Sequence, residues 1–70
     1  MPIVIAPLNT ELKIVRITAE DKVKKHLESL GLVINEKVVV LSSSGKTVVV
    51  KIKDGRIALD SDLSTKIFVA

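Results

Sequence analysis

Runs rich in valine and isoleucine recur along the chain, and one amphipathic segment follows the first long run. This pattern predicts several strands and a single helix. The first long run, Glu11–Thr18, is rich in β-branched residues and predicts a strand. Its alternation changes phase, because Leu12 and Ile14 share one face whereas Val15 and Ile17 share the other. A strand buried on both faces or a β-bulge would explain this change.

The amphipathic segment Ala19–Leu30 carries start and stop signals of a helix. Thr18 and Asp21 have the spacing of a capping box, in which the threonine hydroxyl accepts from an early helix amide. Gly31 follows directly, where a left-handed residue commonly ends a helix. We therefore predict a helix with these bounds, inserted after the first long strand.

One stripe of the predicted helix is apolar. Val23, Leu27 and Leu30 lie at positions i, i+4 and i+7, so they share one face. We expect Leu27 and Leu30 to dock the helix against the sheet. The residues that face away from this stripe are Lys22, Lys25, His26 and Ser29.

Beyond the helix the pattern predicts strands only. They are Lys37–Leu41, Thr47–Lys53, Arg56–Leu59 and Ile67–Val69. Within Thr47–Lys53 the alternation predicts two sets of side chains. The inward set is Val48, Val50 and Ile52, and the outward set is Lys51 and Lys53.

The connections carry turn residues. Leu8–Thr10 contains asparagine, and Ser42–Gly45 reads as a flexible turn. Asp54-Gly55 is the strongest hairpin signal in the chain, because a type I′ turn needs positive φ at both central positions. Ser61–Ser64 predicts a short turn or one helical turn.

About five strands, one helix and short connections predict a mostly β domain. A meander with one small core favours a closed or half-closed β-barrel, which leaves few exposed strand edges. The 70 residues make one domain, 1–70. A fold of this size buries roughly 60% of the surface of its unfolded chain, so a deep active site is excluded.

The charge pattern bears on the class of partner. Eleven Lys and Arg and eight Asp and Glu are interspersed, with a net charge of +3, and Phe68 is the only aromatic residue. Binders of single-stranded nucleic acid usually offer aromatic stacking surfaces. Nucleic acid is therefore not the favoured partner.

The residues needed for catalysis or for a tight metal site are missing from the sequence. There is no Cys nucleophile, and Gly45-Lys46-Thr47 has only one of the glycines of a phosphate-binding loop. His26 has Lys22 and Leu30 at the i±4 positions, where a second ligand would stand. Asp60 and Asp62 offer oxygen ligands, although turn and cap chemistry explains them equally well. We predict no enzyme, no cofactor and no metal site.

The chain resembles the FeoA family from about Pro7 to Val69. The helix end Leu27-Glu28-Ser29-Leu30-Gly31-Leu32 matches the Leu-x-x-Leu-Gly-Leu/Met signature of the family. A strand of the Val38-Val39-Val40 kind follows, and Ala58-Leu59 with Ile67-x-Val69 matches the closing segment. We expect Ala58 to be small because strand and helix approach closely there.

The resemblance implies an SH3-like small β-barrel with one short helix inserted after the first long strand. It implies an accessory or regulatory role in ferrous iron uptake, with the cytosolic part of a FeoB-like membrane transporter as partner. Weak transition-metal binding is also implied. The chain departs from the family at Asn9-Thr10, where Pro-Gly is common, and at Asn35, where glycine is common. Asp60 stands where the family often has basic residues.

The predicted contact surface consists of the exposed helix face and the Ser42–Lys46 loop. Its candidate residues are Lys22, Lys25, His26, Ser43, Lys46 and Arg56. Lys22, Lys25 and Arg56, together with Lys51 and Lys53, are expected to form an electropositive surface. Ordinary solvation of a helix face and of two strand faces is the alternative interpretation.

Three other functions stay open. The same barrel occurs as the C-terminal domain of metal-dependent repressors resembling DtxR, and no DNA-binding domain precedes it here. A small nucleic-acid-binding barrel is the second alternative, and a barrel that self-associates through strand pairing of Met1–Ala6 is the third. Met1–Pro7 lacks a basic region and is interrupted by prolines, so we predict neither a signal peptide nor membrane insertion, and a cytoplasmic location.

Overall fold

The computed structural model describes residues 1–53 and 55–70. A 3₁₀ helix, Ile3–Ile5, precedes five strands and two helices. In chain order these are β1 (Glu11–Ile17), α1 (Asp21–Ser29), β2 (Lys37–Ser44), β3 (Thr47–Ile52), β4 (Gly55–Asp60), α2 (Ser61–Ser64) and β5 (Ile67–Val69).

The five strands form one antiparallel sheet in the order β4-β3-β2-β1-β5. Consecutive hairpins join β2, β3 and β4, whereas β5 returns from the end of the chain to pair with β1. The inward side chains of this curled sheet, with residues from the chain start and from α1, make one core. It consists of Ile3, Ala6, Ile14, Leu27, Leu32, Val38, Val40, Val48, Val50, Ile52, Leu59, Ile67 and Val69.

A β-bulge explains the phase change in β1. The register of β1 on β5 shifts between Ile14 and Arg16, and Val15 in the shift is 48% exposed. Val15 is the extra residue of the bulge, and it shifts the alternation of β1 by one position. Ile14 and Ile17 therefore both face inward, although they are three residues apart. Arg16 points outward, and its guanidinium carbon lies 5.6 Å from the ring centre of Phe68.

Helix α1 begins later than predicted, and the predicted capping box is wrong. The residue before the helix is Glu20, whose side chain makes no capping bond. Thr18 instead holds the backbone ahead of β5, because its N–H donates to the Lys66 carbonyl at 2.9 Å and its hydroxyl donates to the same oxygen at 3.4 Å. The hydroxyl therefore serves a long-range contact and not the helix start.

The end of α1 is as predicted. Gly31 has φ +95°, and its N–H donates to the Glu28 carbonyl at 3.0 Å. The N–H of Leu32 donates to the Leu27 carbonyl at 2.9 Å, which completes a Schellman motif. A Cβ placed on Gly31 would lie 3.0 Å from Ile52 Cδ1, so the helix end also approaches β3 closely.

The predicted apolar stripe is partly wrong. Leu27 is fully buried and Val23 packs against the core, but Leu30 is 37% exposed. The left-handed Gly31 reverses the chain, and the fully buried Leu32 takes the core position that was assigned to Leu30. Ala58 is also misassigned, because it lies exposed in β4 opposite Val49 and not beneath the helix.

The predicted flexible turn Ser42–Gly45 is mostly strand. Ser42, Ser43 and Ser44 pair with Val49, Val48 and Thr47 of β3 after a bulge. The turn itself is the two-residue Gly45-Lys46, with φ +59° at the glycine. Pairing with the valines of β3 therefore overrides the weak strand preference of the serines.

The β3–β4 hairpin is confirmed, since Ile52 pairs with Gly55. Gly55 has φ +150° and is the first residue of β4. The predicted type I′ turn involves Asp54, which lies outside the described residues.

The segment Met1–Ala6 pairs with β5 of its own chain through Met1 and Pro2. The Met1 ammonium donates to the Val69 carbonyl at 2.9 Å, and the Val69 N–H donates to the Met1 carbonyl at 2.8 Å. Pro2 bridges to Phe68, and Ile3 is fully buried. Pairing of this segment with another copy would therefore first require its release from β5.

Helix α2 is the predicted single helical turn, and an aspartate caps it. The Leu63 N–H donates to Asp60 Oδ1 at 2.8 Å. An aspartate at this position satisfies an amide that has no partner within the helix. Cap chemistry therefore accounts for Asp60.

We expect Asp60→Ala to lower the free energy of unfolding by about 1 kcal/mol, because the Leu63 amide loses its acceptor. Urea unfolding followed by circular dichroism measures the change. Asp62→Ala is the matched control, since Asp62 is exposed and its side chain caps nothing in the described structure. It should shift stability by less than about 0.5 kcal/mol. Equal losses in the two variants would contradict the assignment of the cap.

Candidate partner-binding surface

The predicted helix residues lie together on α1. Lys22, Lys25 and His26 are all exposed and fall within one turn of the helix. Two lysines make this face positive, but the segment 20–28 as a whole holds three lysines and three carboxylates. Carboxylates of the same segment therefore offset the charge of this face.

The remaining predicted residues lie elsewhere. Ser43 pairs with Val48 at the end of β2, and Lys46 is in the turn that follows. Arg56 starts β4 opposite Lys51, near the other end of β3. Positions 47 and 51 are separated by roughly 13 Å along a strand. The predicted contact residues therefore lie in three separate places: on α1, at the β2–β3 turn and at the start of β4.

A row of side chains crosses four strands on the outward face of the sheet. Glu11 of β1 is opposite Val39 of β2, which is opposite Lys51 of β3, which is opposite Arg56 of β4. The flanking Val38, Val40 and Val50 are buried, so the row points away from the core. Neighbouring strands are about 4.8 Å apart, and the row is therefore about 14 Å long.

A second row lies beside the first. Lys13 of β1 is directly opposite Lys37 of β2, two residues along each strand from the first row. We call the two rows together the outer sheet face. Its residues are Glu11, Lys13, Lys37, Val39, Lys51 and Arg56.

An open groove of about 520 Å³ lies on this face. It is lined by Glu11, Asn35, Glu36, Lys37, Val39, Lys51, Ile52 and Lys53. Asn35 and Glu36 form one wall of the groove. Two backbone hydrogen bonds hold them against β1: the Asn35 N–H donates to the Ile14 carbonyl at 2.7 Å, and the Ile14 N–H donates to the Glu36 carbonyl at 3.0 Å. Asn35 has φ +74°, the left-handed conformation expected from the sequence.

The outer sheet face and its groove are basic. They carry five cations, Lys13, Lys37, Lys51, Lys53 and Arg56, and two carboxylates, Glu11 and Glu36. Within residues 1–53 and 55–70 the one ion pair joins Lys37 Nζ to Glu11 Oε1 at 3.8 Å. Both side chains are 65% exposed, so the pair contributes little to stability. The excess of three positive charges equals the net charge of the whole chain.

Sequence reasoning missed Lys13, Lys37 and the groove. It placed Lys51 and Lys53 outward correctly, and alternation within β1 and β2 also gives outward positions for Lys13 and Lys37. The missing information was the strand register, which alone shows that these side chains are neighbours. Without the register, Lys51 of β3 was grouped with Lys22 and Lys25, which lie on α1.

A smaller hollow lies between α1 and the segment after it. It measures about 140 Å³ and is lined by Ile17, Lys24, Glu28, Val33 and Ile34. Its lysine and glutamate are of opposite sign, four residues apart on the helix. The hollow is therefore mainly apolar and has no net charge.

Metal ligands are scattered over the described residues. In residues 1–53 and 55–70 no three His, Cys, Asp or Glu side chains gather in a way that would hold an ion. His26 is exposed on α1, and Asp60 caps α2. The donor set does not fit a tight transition-metal site.

Across the part of the chain that the structure describes, every helix is too short or too polar to cross a bilayer.

The sequence model of the FeoA domain family matches residues 1–70. A solved iron uptake regulatory protein (FeoA) superimposes with a TM-score of 0.86 at 22% identity, over 99% of this chain and 92% of that one. A search of curated protein sequences returned no match.

Two further solved structures share the fold. The iron(II) transport protein A from Clostridium thermocellum has a TM-score of 0.89 at 21% identity, over 99% of this chain and 44% of that one. A manganese-dependent transcriptional repressor has a TM-score of 0.91 at 18% identity, over all of this chain and 40% of that one. These comparisons confirm the predicted SH3-like small barrel with one short helix after the first long strand.

Proposed function

Because this chain belongs to the FeoA family, whose sequence model covers residues 1–70, we propose that it is an accessory protein of ferrous iron uptake that regulates a FeoB-like transporter. It acts in the cytoplasm by contact with the cytosolic, nucleotide-binding part of that transporter. The family match is the observation that carries this proposal. A small barrel with exposed basic and polar surfaces is suited to binding another protein.

In this proposal the ferrous ion is the cargo of the transporter. Carriage by the chain itself would need several soft or nitrogen ligands close together, and the sequence has one histidine and no cysteine. Any binding of transition metal by this chain is then weak and is not the basis of its action. The barrel instead biases the conformation of the partner to which it binds.

The contact surface is the open part of the proposal. The sequence-based candidates Lys22, Lys25 and His26 on α1 stay a prediction, as do Ser43 and Lys46 at the β2–β3 turn. Arg56 belongs to the outer sheet face, which the sequence did not reveal. Because these groups lie on separate elements, charge reversal on one element at a time distinguishes them.

The proposal predicts that the purified chain, immobilised through an added tag, captures the purified cytosolic domain of a FeoB-like transporter. Isothermal titration calorimetry then measures affinity and stoichiometry with and without guanine nucleotide. An unrelated SH3-like barrel of similar size and net charge is the control, because electrostatic attraction alone would let both bind. Equal binding by the control, or no binding by this chain, would contradict the proposed function.

The likeness to a manganese-dependent transcriptional repressor supports a second candidate. In this alternative the barrel regulates a metal-dependent repressor by binding to it, and iron transport is affected only indirectly. The same capture assay with a purified repressor of that class separates the two candidates.

A further inference from the structure

We propose that the outer sheet face is a docking surface for an extended acidic segment of a partner protein. This inference rests on the proposed function in one respect, namely that the chain acts by binding another protein. Beyond the proposed function, the inference specifies which surface of the chain binds the partner and what kind of partner segment binds there. Carboxylates of the segment lie over two cation pairs, Lys13 with Lys37 and Lys51 with Arg56, and one apolar side chain enters the groove at Val39.

Cations face one another across the strands of this surface. Lys13 is directly opposite Lys37, and Lys51 is directly opposite Arg56. Like charges at directly opposite positions of an antiparallel pair destabilise a sheet. The Lys37–Glu11 ion pair offsets part of the repulsion in the first cation pair, and an anionic ligand between the cations removes what remains. The arrangement therefore favours a bound anion.

The spacing of the rows suits an extended chain. The rows are separated by two residues along β1 and β2, which is about 6.6 Å. The two cation pairs also lie two strands apart, about 9.6 Å across the sheet, so about 12 Å separates them. Side chains four residues apart in an extended peptide are about 13 Å apart. A segment that crosses the strands obliquely can thus place one carboxylate at Lys13 and Lys37 and a second, four residues further on, at Lys51 and Arg56.

The groove supplies an apolar contact between the charged positions. Val39 is half-buried and Ile52 is buried, and Lys37, Lys51 and Lys53 line the groove with them. Val39 is not part of the internal core, so its exposed side is available to a ligand. A leucine or similar side chain of the segment would cover it.

The charge distribution directs an acidic partner to this face. The excess of three positive charges here equals that of the whole chain, whereas α1 carries three lysines and two carboxylates and is preceded directly by Glu20. A local excess of one sign raises the rate at which an oppositely charged partner meets that surface. Helix α1 together with Glu20 has no such excess.

A polypeptide fits this surface better than a nucleic acid does. Single-stranded nucleic acids bind proteins largely by stacking bases on aromatic rings. The only aromatic ring of the chain, Phe68, lies on β5 beside Arg16 and not on the four strands of the outer sheet face. A protein segment with carboxylates binds through charge and does not need an aromatic ring to stack on.

The test uses the whole chain and a short fluorescein-labelled peptide with glutamate at alternate positions and one central leucine. We expect binding by fluorescence anisotropy that weakens as salt is added, because exposed charges are screened. In ¹⁵N spectra the peptide should shift the amides of Lys37, Val39 and Lys51. A peptide with lysine in place of glutamate should not bind. Shifts confined to α1 or to the hollow at Ile34 would overturn the proposal.

Charge reversal gives the matched comparison. Lys51→Glu with Arg56→Glu changes the net charge from +3 to −1 and should weaken peptide binding at least about tenfold. Arg16→Glu with Lys66→Glu makes the same change of net charge away from the two rows and should weaken it far less. Equal losses in the two double variants would overturn the proposal. A loss seen only with Lys22→Glu and Lys25→Glu would overturn it in favour of the helix face.

A stability measurement excludes a merely structural role. Lys51→Gln should bind the peptide more weakly while melting at or above the temperature of the wild-type chain, because one repulsive pair is removed. A variant that loses both affinity and melting temperature would overturn the docking assignment. Comparable binding of single-stranded RNA to the same face would overturn the assignment to a protein segment.

Failure of this inference and of the proposed function are distinguishable. If the transporter domain binds and Lys51→Glu with Arg56→Glu leaves its capture unchanged, the docking face is wrong and the proposed function stands. If the peptide binds the face and the transporter domain does not bind at all, the docking face stands and the proposed partner is wrong.

Discussion

Leu27→Ala is expected to lower the free energy of unfolding by about 2–5 kcal/mol. Leu27 is fully buried and anchors α1 in the core, so truncation leaves a cavity beneath the helix. A domain of 70 residues has a total stability of about 3.5–10 kcal/mol. The substitution therefore removes a large part of it. Urea unfolding followed by circular dichroism measures the loss.

Leu30→Ala is the matched control, because the same change is made three residues away on the same helix end. Leu30 is 37% exposed, and its truncation should cost less than about 1 kcal/mol. Comparable losses at the two positions would mean that both leucines dock the helix, as the apolar stripe predicted. Loss at Leu30 alone would contradict the described packing of α1.

Gly31→Ala is expected to cost about 1–3 kcal/mol, for two reasons that add. A side chain at φ +95° is strained, and the new Cβ would lie 3.0 Å from Ile52 Cδ1. Gly45→Ala is the control, since Gly45 has φ +59° and open space where the Cβ would go. It tests backbone strain alone and should cost less, as measured by the same urea titration.

A double-mutant cycle separates the two causes. Ile52→Val deletes the Cδ1 atom that the introduced methyl group would approach, so Gly31→Ala should cost less in that background. The remaining cost is that of the backbone conformation. If the cost of Gly31→Ala is the same in both backgrounds, close approach contributes nothing and backbone strain accounts for the whole effect.

The helix end shows what local sequence determines and what it does not. Gly31 was predicted to be left-handed from its position alone, because few other residues adopt that conformation without cost. The path of the chain after the glycine depends on the sheet that receives it. Helical spacing therefore assigned Leu30 to the core, where the structure places Leu32.

The end of β2 shows pairing overriding composition. Three consecutive serines have little strand preference, and before a glycine they resemble a loop. In the fold they continue β2, because Val49, Val48 and Thr47 of β3 pair with all three of them. A window that contains only Ser42–Gly45 cannot include that information.

Thr18 and Val15 show the same division between local and long-range signals. The irregular alternation around Val15 indicated either a strand buried on both faces or a bulge, and the register of β1 on β5 shows the bulge. Thr18 matched a capping box by spacing, but its hydroxyl donates to the carbonyl of Lys66, far along the chain. Spacing alone does not reveal such a competing partner.

The candidate surface was only partly accessible from sequence. Outward orientation of Lys51 and exposure of Arg56 follow from alternation within single strands. Their direct opposition, and that of Lys13 and Lys37, depends on the register between strands. Together the registers bring residues between Glu11 and Arg56 onto one face, which no local pattern predicts.

The pairing of β5 with β1 determines when the chain can complete its fold during synthesis. The β2–β3–β4 hairpins connect neighbouring segments and pay little loop-closure entropy, so they can form early. The ladder from Ile14 to Val69 closes a loop of more than fifty residues. Contacts at such sequence separation slow folding. On the ribosome, Ile14 and Ile17 must therefore wait for Ile67 and Val69 to emerge from the exit tunnel, and until then the first strand lacks one of its two neighbours.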